Sequence, residues 1–381
     1  MAIDVCIRGA GVVGKALALL LARSRIRVGL VQAPQPSSAQ SDIRAFALNV
    51  ASQTLLSSLR AWPERTCAVQ HMWVQGDGSG ASAGVVQFDA TTMGGEALAW
   101  IVDASALEQR LHTAVSFAPE ISLLSASEPA ALTVICEGRA SASREAAGLA
   151  YEQVAYEQTA IAATLQVDLP HQAMARQWMQ GGEVCALLPR STALEINAAG
   201  GNSVALVWSV RHEHAQQLLA MDEAQFCAAL QYACGHALGS MRLTSKRAAW
   251  PLYLAQASRW VGAGMGMGAQ DGAWALAGDA AHAVHPLAGQ GLNLGLGDAA
   301  ELARVLAGKE YFRSYGDMRL LRRYERARKG DAAALRLATD GLQRLFALDD
   351  ERARSLRNWG MRGFEALGPV KAAVMRRAMG V

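Results

Sequence analysis

Residues 3–31 read IDVCIRGAGVVGKALALLLARSRIRVGLV. Ile3 to Arg8 is short and apolar and predicts a buried strand. Gly9-Ala10-Gly11-Val12-Val13-Gly14 follows, then an apolar helix from Lys15 to Ala22, then a second strand from Arg27 to Val31. Strand, GxGxxG turn, helix and strand make a βαβ opening. The spacing has a physical reason. Glycine lets the backbone approach a ligand closely, and the helix that begins near Val12 offers unpaired N–H groups and a positive dipole end to a phosphate. A dinucleotide-binding α/β domain is predicted.

A second segment, LAGDAAHAVHPLAGQGLNLGLG from Leu276 to Gly297, carries the chemistry. The apolar run Trp274 to Ala277 ends in Gly278-Asp279. Two histidines, a proline and a loop with Gly289, Gly291, Gly295 and Gly297 follow, leading to a helix through Asp298 to Leu306. Asp279 after a strand can accept hydrogen bonds from sugar-like hydroxyls, and loop amides at a helix start suit a phosphate. A polyhydroxylated, phosphorylated cofactor is the expectation.

Outward from these two segments the chain is organised as follows. Asp42, Arg44, Ala47, Leu48, Leu55 and Leu56 fit one helix. Met72 to Ala99 suggests a hairpin, and Ile101 to Leu111 a helix after a short strand. Val154 to Leu169 and Val204 to Val210 alternate as strands. The predicted fold class is α/β: a Rossmann-type domain over 1–72, 98–148 and 262–312, an inserted, mostly β substrate domain over 73–97 and 149–261, and a helical C-terminal region over 313–381.

Composition sets limits. A length of 381 residues suits two domains, and 51% hydrophobic against 18% charged residues argues for a large core. The net charge of +3 is too small to argue for nucleic acid, although residues 311–381 hold sixteen Lys and Arg against eight Asp and Glu. Six cysteines without CxxC spacing fit buried, reduced thiols and a cytoplasmic setting. No apolar run is long enough to cross a membrane, and Asp4 and Arg8 interrupt any secretory signal.

Three signals in order, GAGVVG at 9–14, CEGRASASR at 136–144 and GDAAHAVHPLAGQGLNLG from Gly278, resemble the FAD-dependent aromatic hydroxylases, and more narrowly their ubiquinone-biosynthesis branch. Asp42-Ile43-Arg44, Leu187-Leu188-Pro189, Trp250-Pro251-Leu252 and Leu356-Arg357-Asn358 add to it, so the resemblance spans nearly the whole chain. It implies an FAD held by Gly9, Gly11, Val12, Val13, Gly14, Gln32, Arg44, Gly278, Asp279, Pro286, Gly289, Gly291, Leu292 and Asn293. It implies NAD(P)H as a transient reductant and dioxygen, with a flavin hydroperoxide passing one oxygen to an electron-rich phenol. A polyprenylated phenol is the implied substrate, with a pocket wall drawn from Met174 to Pro189 and Leu206 to Val210. A biosynthetic complex and a membrane surface on the inner face are the implied partners; oligomeric state and a catalytic side chain stay undefined.

Alternatives stand beside these readings. Arg44 is either a cofactor contact or a surface arginine on a helix; Asp279 is either a ligand to the cofactor or a helix N-cap. Arg144 either links the two domains or is a surface cation. His282 and His285 have a spacing that zinc tolerates in isolation. The C-terminal stretch Pro369 to Met379 either lies on anionic lipid through Val370, Val374 and Ala378 or docks on the core. A hydroxylase of a small soluble phenol, a polyprenyl reductase and a non-catalytic scaffold are the competing functions. Three positions depart from the family pattern. Gln32 replaces an acidic residue, forfeiting about 1 kcal/mol of charge-assisted bonding. Glu137 replaces Asp in the middle motif, and Arg8 interrupts an otherwise apolar strand.

Overall fold

The computed structural model describes residues 2–32, 42–78, 83–191, 201–264, 272–283, 290–347 and 351–380. The opening unit is β1 (Val5–Arg8), α1 (Val12–Arg23) and β2 (Val28–Val31), with β2 parallel to β1. β1 also pairs in parallel with β9 (Leu132–Ile135) on its other side. The six-stranded sheet runs β16-β17-β9-β1-β2-β8, adding β8 (Ile121–Leu124), β16 (Val261–Ala263) and β17 (Ala273–Leu276). Chain order reverses between β1 and β9, and such switch points open a crevice at the carboxyl ends of strands. Gly9 lies there at φ +106°, and a Cβ on it would sit 2.5 Å from the Cys136 carbonyl oxygen.

The larger sheet has nine strands. Its central members are β10 (Tyr151–Val167), β12 (Glu183–Arg190) and β13 (Ser203–Arg211), flanked by β11 (Met174–Gln180) and β15 (Ala248–Ala257). β5 (His71–Gln75) and β6 (Val85–Asp89) form the predicted hairpin and join this sheet through β11. β14 (Met241–Leu243) and the short β18 (His282–Ala283) complete it. One face buries Ile161, Leu187, Leu206 and Trp208 against α5 (His212–Ala220) and α6 (Glu223–Ala233). The other face, with Ala162, Ala186, Ala205 and Val207, lines a crevice.

A three-stranded sheet, β3 (Ala45–Leu48), β7 (Ala99–Asp103) and β4 (Thr66–Val69), bridges the two layers. This corrects the single helix read through Arg44 to Leu56: Ala45–Leu48 is a strand antiparallel to β7, and the helix, α2 (Val50–Ser58), begins after an Asn49 cap that accepts from the Ser52 N–H. Pairing with a distant strand overrode local helical spacing. α3 (Ala104–Ser116) follows β7, and α4 (Ala142–Ala146) lies just before β10.

α7 runs from Gly291 to Ala307, so the helix read through Asp298 to Leu306 begins within the glycine loop. It packs on α1 so closely that a Cβ on Gly295 would lie 2.7 Å from Val13 Cγ2. The C-terminal region is helical: α8 (Met318–Ala347), α9 (Glu351–Ala366) and α10 (Gly368–Met379). α10 docks on the core, with Met375 and Met379 buried beside Ala90 and Leu98. All six cysteines are buried and unbridged. Among the described residues, no helix is long and apolar enough to cross a membrane.

Candidate active site

One cavity of about 1210 Å³ lies between the two large sheets. Single drug-sized ligands occupy roughly 300–1,000 Å³, so there is room for more than one such molecule. Gly11, Val12 and Val13 enter it from the start of α1, and Gln290, Gly291 and Leu292 from the start of α7. Neither helix has a side-chain cap bond or an acidic residue in its first turn. Two positive dipole ends with free amides therefore converge on one space. A Cβ on Gly11 would touch nothing within 4 Å, so this turn faces open cavity, whereas a Cβ on Gly14 would lie 1.9 Å from the Gly9 carbonyl oxygen. Gly14 serves the turn; Gly11 leaves room for a ligand.

Asp279 lies in a 3₁₀ turn, Gly278–Ala280, between these helix ends, and its residue lines the cavity. Gly278 turns the chain at φ +64°. Burial pushes the Asp279 carboxyl above its ordinary range, and His282, Arg139 and Arg44 only partly offset this. Among the described residues, no donor bonds its carboxylate; only its backbone oxygen is engaged, by the Tyr151 hydroxyl at 2.8 Å. A half-buried acceptor left open toward a cavity suits a hydroxyl-bearing ligand. Asp279 is not the cap of a long helix.

Arg44 precedes β3 and lines the cavity. Its guanidinium forks onto Asp42 at 2.9 and 2.6 Å and lies 5.7 Å from the Phe46 ring centre. Asn293 plays a different part. Its side chain donates to Ala47 O at 2.9 Å and accepts from the Asn49 N–H and the Ser52 hydroxyl, at 3.0 and 2.7 Å. It staples α7 to β3 and α2, which holds Gly291 and Leu292 at the cavity. Gln32 follows β2, with its N–H on Leu124 O at 3.0 Å. Pro286 and Gly289 lie outside the described residues, as do His285 and Leu287.

The departures in the middle motif explain each other. Glu137 accepts from the Ser141 and Ser143 hydroxyls at 2.8 and 2.6 Å and from the Ser143 N–H at 3.0 Å. Arg8 lies 3.3 Å from the same carboxylate. Burial would raise the Glu137 carboxyl, but the Ser143 and Ser141 bonds and the Arg8 charge together hold it below its ordinary range. The longer carboxylate folds back to brace its own loop. Arg144 is not a surface cation: it is 3% exposed, bonds Ala280 O at 3.2 Å and Arg139 O at 2.7 Å, and lies over the Tyr151 ring. It clamps the middle motif to the Gly278 turn.

Sequence reading missed the support beneath that turn. Asp298, fully buried on α7, accepts from the Gly278 N–H at 2.9 Å, from Arg328 Nε at 2.7 Å, and meets His282 Nε2 at 2.6 Å. Burial works to raise the Asp298 carboxyl; His282 and Arg328 outweigh it and hold the carboxyl low. His282 stacks on Trp260 at 4.8 Å, and Tyr324 donates to Leu276 O at 2.8 Å. His282 is thus committed to Asp298. The available signal was an acid among Leu296, Ala299 and Leu302 on the apolar face of α7. Its partner Arg328, from another helix, left no sequence sign.

The far end of the cavity is mainly apolar, with Arg176, Gln177 and Ser209 as its polar members. Met179, Val184, Ala186, Leu188 and Val207 line it, so the segments 174–189 and 206–210 both contribute. Over the junction, Arg139 lies 5.3 Å from the Tyr253 ring centre.

A family model described as an FAD binding domain matches residues 127–338. The ubiquinone hydroxylase UbiL of Rhodospirillum rubrum is 31% identical, over 99% of this chain and 89% of its own. The chain belongs to the FAD-binding monooxygenase family. Another relative, the 3-demethoxyubiquinol 3-hydroxylase of Escherichia coli, is 27% identical over 99% of this chain and 98% of its own. Among solved structures, p-nitrophenol 4-monooxygenase PnpA of Pseudomonas putida superposes with a TM-score of 0.73 at 16% identity, covering 99% of this chain and 96% of that one. Klebsiella pneumoniae HpxO, complexed with FAD and uric acid, gives 0.71 at 15%, over 98% and 96%. At those identities the likeness shows the fold. The chain is an FAD-dependent aromatic-ring monooxygenase, and the paired helix ends, the open Gly11 and the undonated Asp279 carboxylate fit that cofactor.

Proposed function

We propose that this chain hydroxylates the aromatic ring of a polyprenylated phenol in ubiquinone biosynthesis. The observation that carries it is a continuous cavity that joins a polar crevice at two helix N-termini to a mainly apolar sheet face. The full-length relatives named for ubiquinone intermediates support the substrate class. FAD, reduced by NAD(P)H, supplies the activation of dioxygen when bound.

The protein's own residues do the rest. The amides of Gly11, Val12 and Val13, with the α1 dipole, would hold a pyrophosphate. Asp279 would accept from ribityl or ribose hydroxyls, and Arg44 would meet phosphate charge from the strand side. Amides at Gly291 and Leu292 would face the ring system and stabilise negative charge there. Pro286 and Gly289 belong to the same proposed contact set, as do the backbone at Gly9, Gly14 and Gly278. Gln32 would meet the adenosine ribose through its neutral amide. Asn293 would act by positioning α7. The apolar wall of β12 and β13 would orient the phenol and exclude water.

The tail of such a substrate implies work at a membrane surface, and exposed Val374 with exposed Arg376 on α10 suits anionic lipid. A multi-enzyme assembly is the proposed setting. The test is coupled turnover: a prenylated phenol triggers equal NAD(P)H and dioxygen consumption, and a p-hydroxybenzoate-like acid does not. Cells lacking the gene accumulate an under-hydroxylated prenylphenol. A normal quinone profile in those cells refutes the proposal.

A further inference from the structure

Two residues of the C-terminal helices face two ways. Trp359 on α9 and Val374 on α10 line the same cavity as Gly11 and Asp279, yet they are 73% and 53% exposed. A side chain that borders both cavity and solvent marks where the cavity opens. Behind them Met361, Phe364 and Met375 line the passage inward. Phe364 meets Phe88 edge-on at 6.4 Å, and Met375 is buried against Ala90 and Leu98.

This wall is built into the fold. Asn358 accepts the Gly84 N–H at 3.0 Å and donates to Asp77 O at 2.9 Å; Glu365 accepts the Gln87 N–H at 3.1 Å. A Cβ on Gly84 would lie 2.9 Å from Met361 Cβ and 3.0 Å from Asn358 Cα, so the β5–β6 hairpin is bare of side chain where α9 crosses it. Beside the wall, Lys371 is paired with Glu365 at 2.8 Å, its ammonium over the Phe88 ring. A passage of thioether and aromatic side chains has little to offer an ionic group. It suits methyl and methylene groups, and methionine adapts to an irregular branched chain.

We infer that the α9–α10 mouth is the exit for the apolar tail of the substrate. The phenol ring lies inward beside the β12–β13 wall, and the polyprenyl chain passes Phe364 and Met375 to leave between Trp359 and Val374. This rests on the polyprenylated phenol proposed above and adds the tail's path and the residues that favour long chains over short ones.

Val374→Glu and Trp359→Glu each put a carboxylate at the mouth from an exposed position. The holoenzyme is assayed with a farnesyl phenol and with the same phenol bearing a methyl group instead. In each variant the long-to-short ratio of kcat/KM falls about tenfold or more, since losing contact with two methylenes already has that effect, and the change is in KM. An unchanged ratio, or equal losses on both substrates, overturns the inference. A second measurement is independent of turnover: farnesyl phenol with a terminal diazirine is photo-crosslinked to the full chain and mapped by mass spectrometry. Label on residues 351–379, competed by unlabelled farnesyl phenol, supports the mouth; label confined to other walls overturns it. A wild type that hydroxylates only the methyl phenol refutes the substrate reading instead, and the crosslink map then decides the mouth separately.

Discussion

Asp279 and Asp298 belong to one segment but sit in opposite electrostatic settings. Asp279 is half-buried and faces the cavity without a donor among the described residues, so its carboxyl is held above the ordinary range, mainly by desolvation. A raised folded value means the folded chain binds the proton more tightly than the unfolded one. Stability therefore falls as pH rises from the unfolded value through the folded one, and the penalty persists above it. We expect Asp279→Asn to raise the melting temperature of the FAD-free protein at neutral pH, with the gain vanishing below the carboxylate range. The same change should weaken FAD by roughly tenfold or more, the worth of one charged hydrogen bond, read by fluorescence titration. Asp298 has the reverse sign: His282 and Arg328 hold it low against the burial penalty, so its contribution is present above the unfolded value and lost as pH falls through the folded one. Asp298→Ala takes the acceptor from Arg328 Nε, His282 and the Gly278 amide, although Arg328 keeps Asp331 and Leu294 O, and should cost about 3–5 kcal/mol in denaturant unfolding.

At the level of the element, the entrance to α1 separates two jobs that a motif writes as one. Gly14 is needed by the turn itself, because any Cβ there meets the Gly9 carbonyl at 1.9 Å. Gly14→Ala should therefore lose the native fold of the βαβ unit, seen as a lowered melting temperature with or without FAD. Gly11 borders only the cavity. Gly11→Ala should unfold within about 0.5 kcal/mol of wild type, as surface substitutions do, while FAD affinity drops. Equal melting losses in the two variants would refute this division. β3 makes the complementary point: its residues carry helical spacing, and only the register with β7, from Ala45 on Asp103 to Leu48 on Trp100, decides the strand.

Across the whole molecule, the cofactor space is lined by parts far apart in the chain: α1, the loop before β3, the Gly278 turn and α7. A ligand that binds only the folded state stabilises it by about 2.7 kcal/mol at a hundredfold excess over Kd. Adding FAD should thus slow hydrogen exchange together at residues 9–14, 44–47, 278–283 and 290–294. Helices α5 and α6, which back the opposite face of the large sheet, should change little. Protection confined to residues 9–14 would show that these parts do not share one ligand.

Local pattern was enough for the βαβ opening, the β5–β6 hairpin and the helical C-terminal region, because each depends on periodicity and turn residues close in sequence. The Gly278-Asp279 turn was visible for the same reason: backbone freedom and a carboxylate stand side by side. Tertiary structure alone decided that Arg144 is buried, that Glu137 braces its own loop with Arg8, and that Asp298 and Arg328 pair beneath the turn. It also set Trp359 and Val374 beside the cofactor's cavity. Those facts depend on which surfaces meet across long chain separations, where burial and desolvation fix a charge's partner, and no local spacing encodes that meeting.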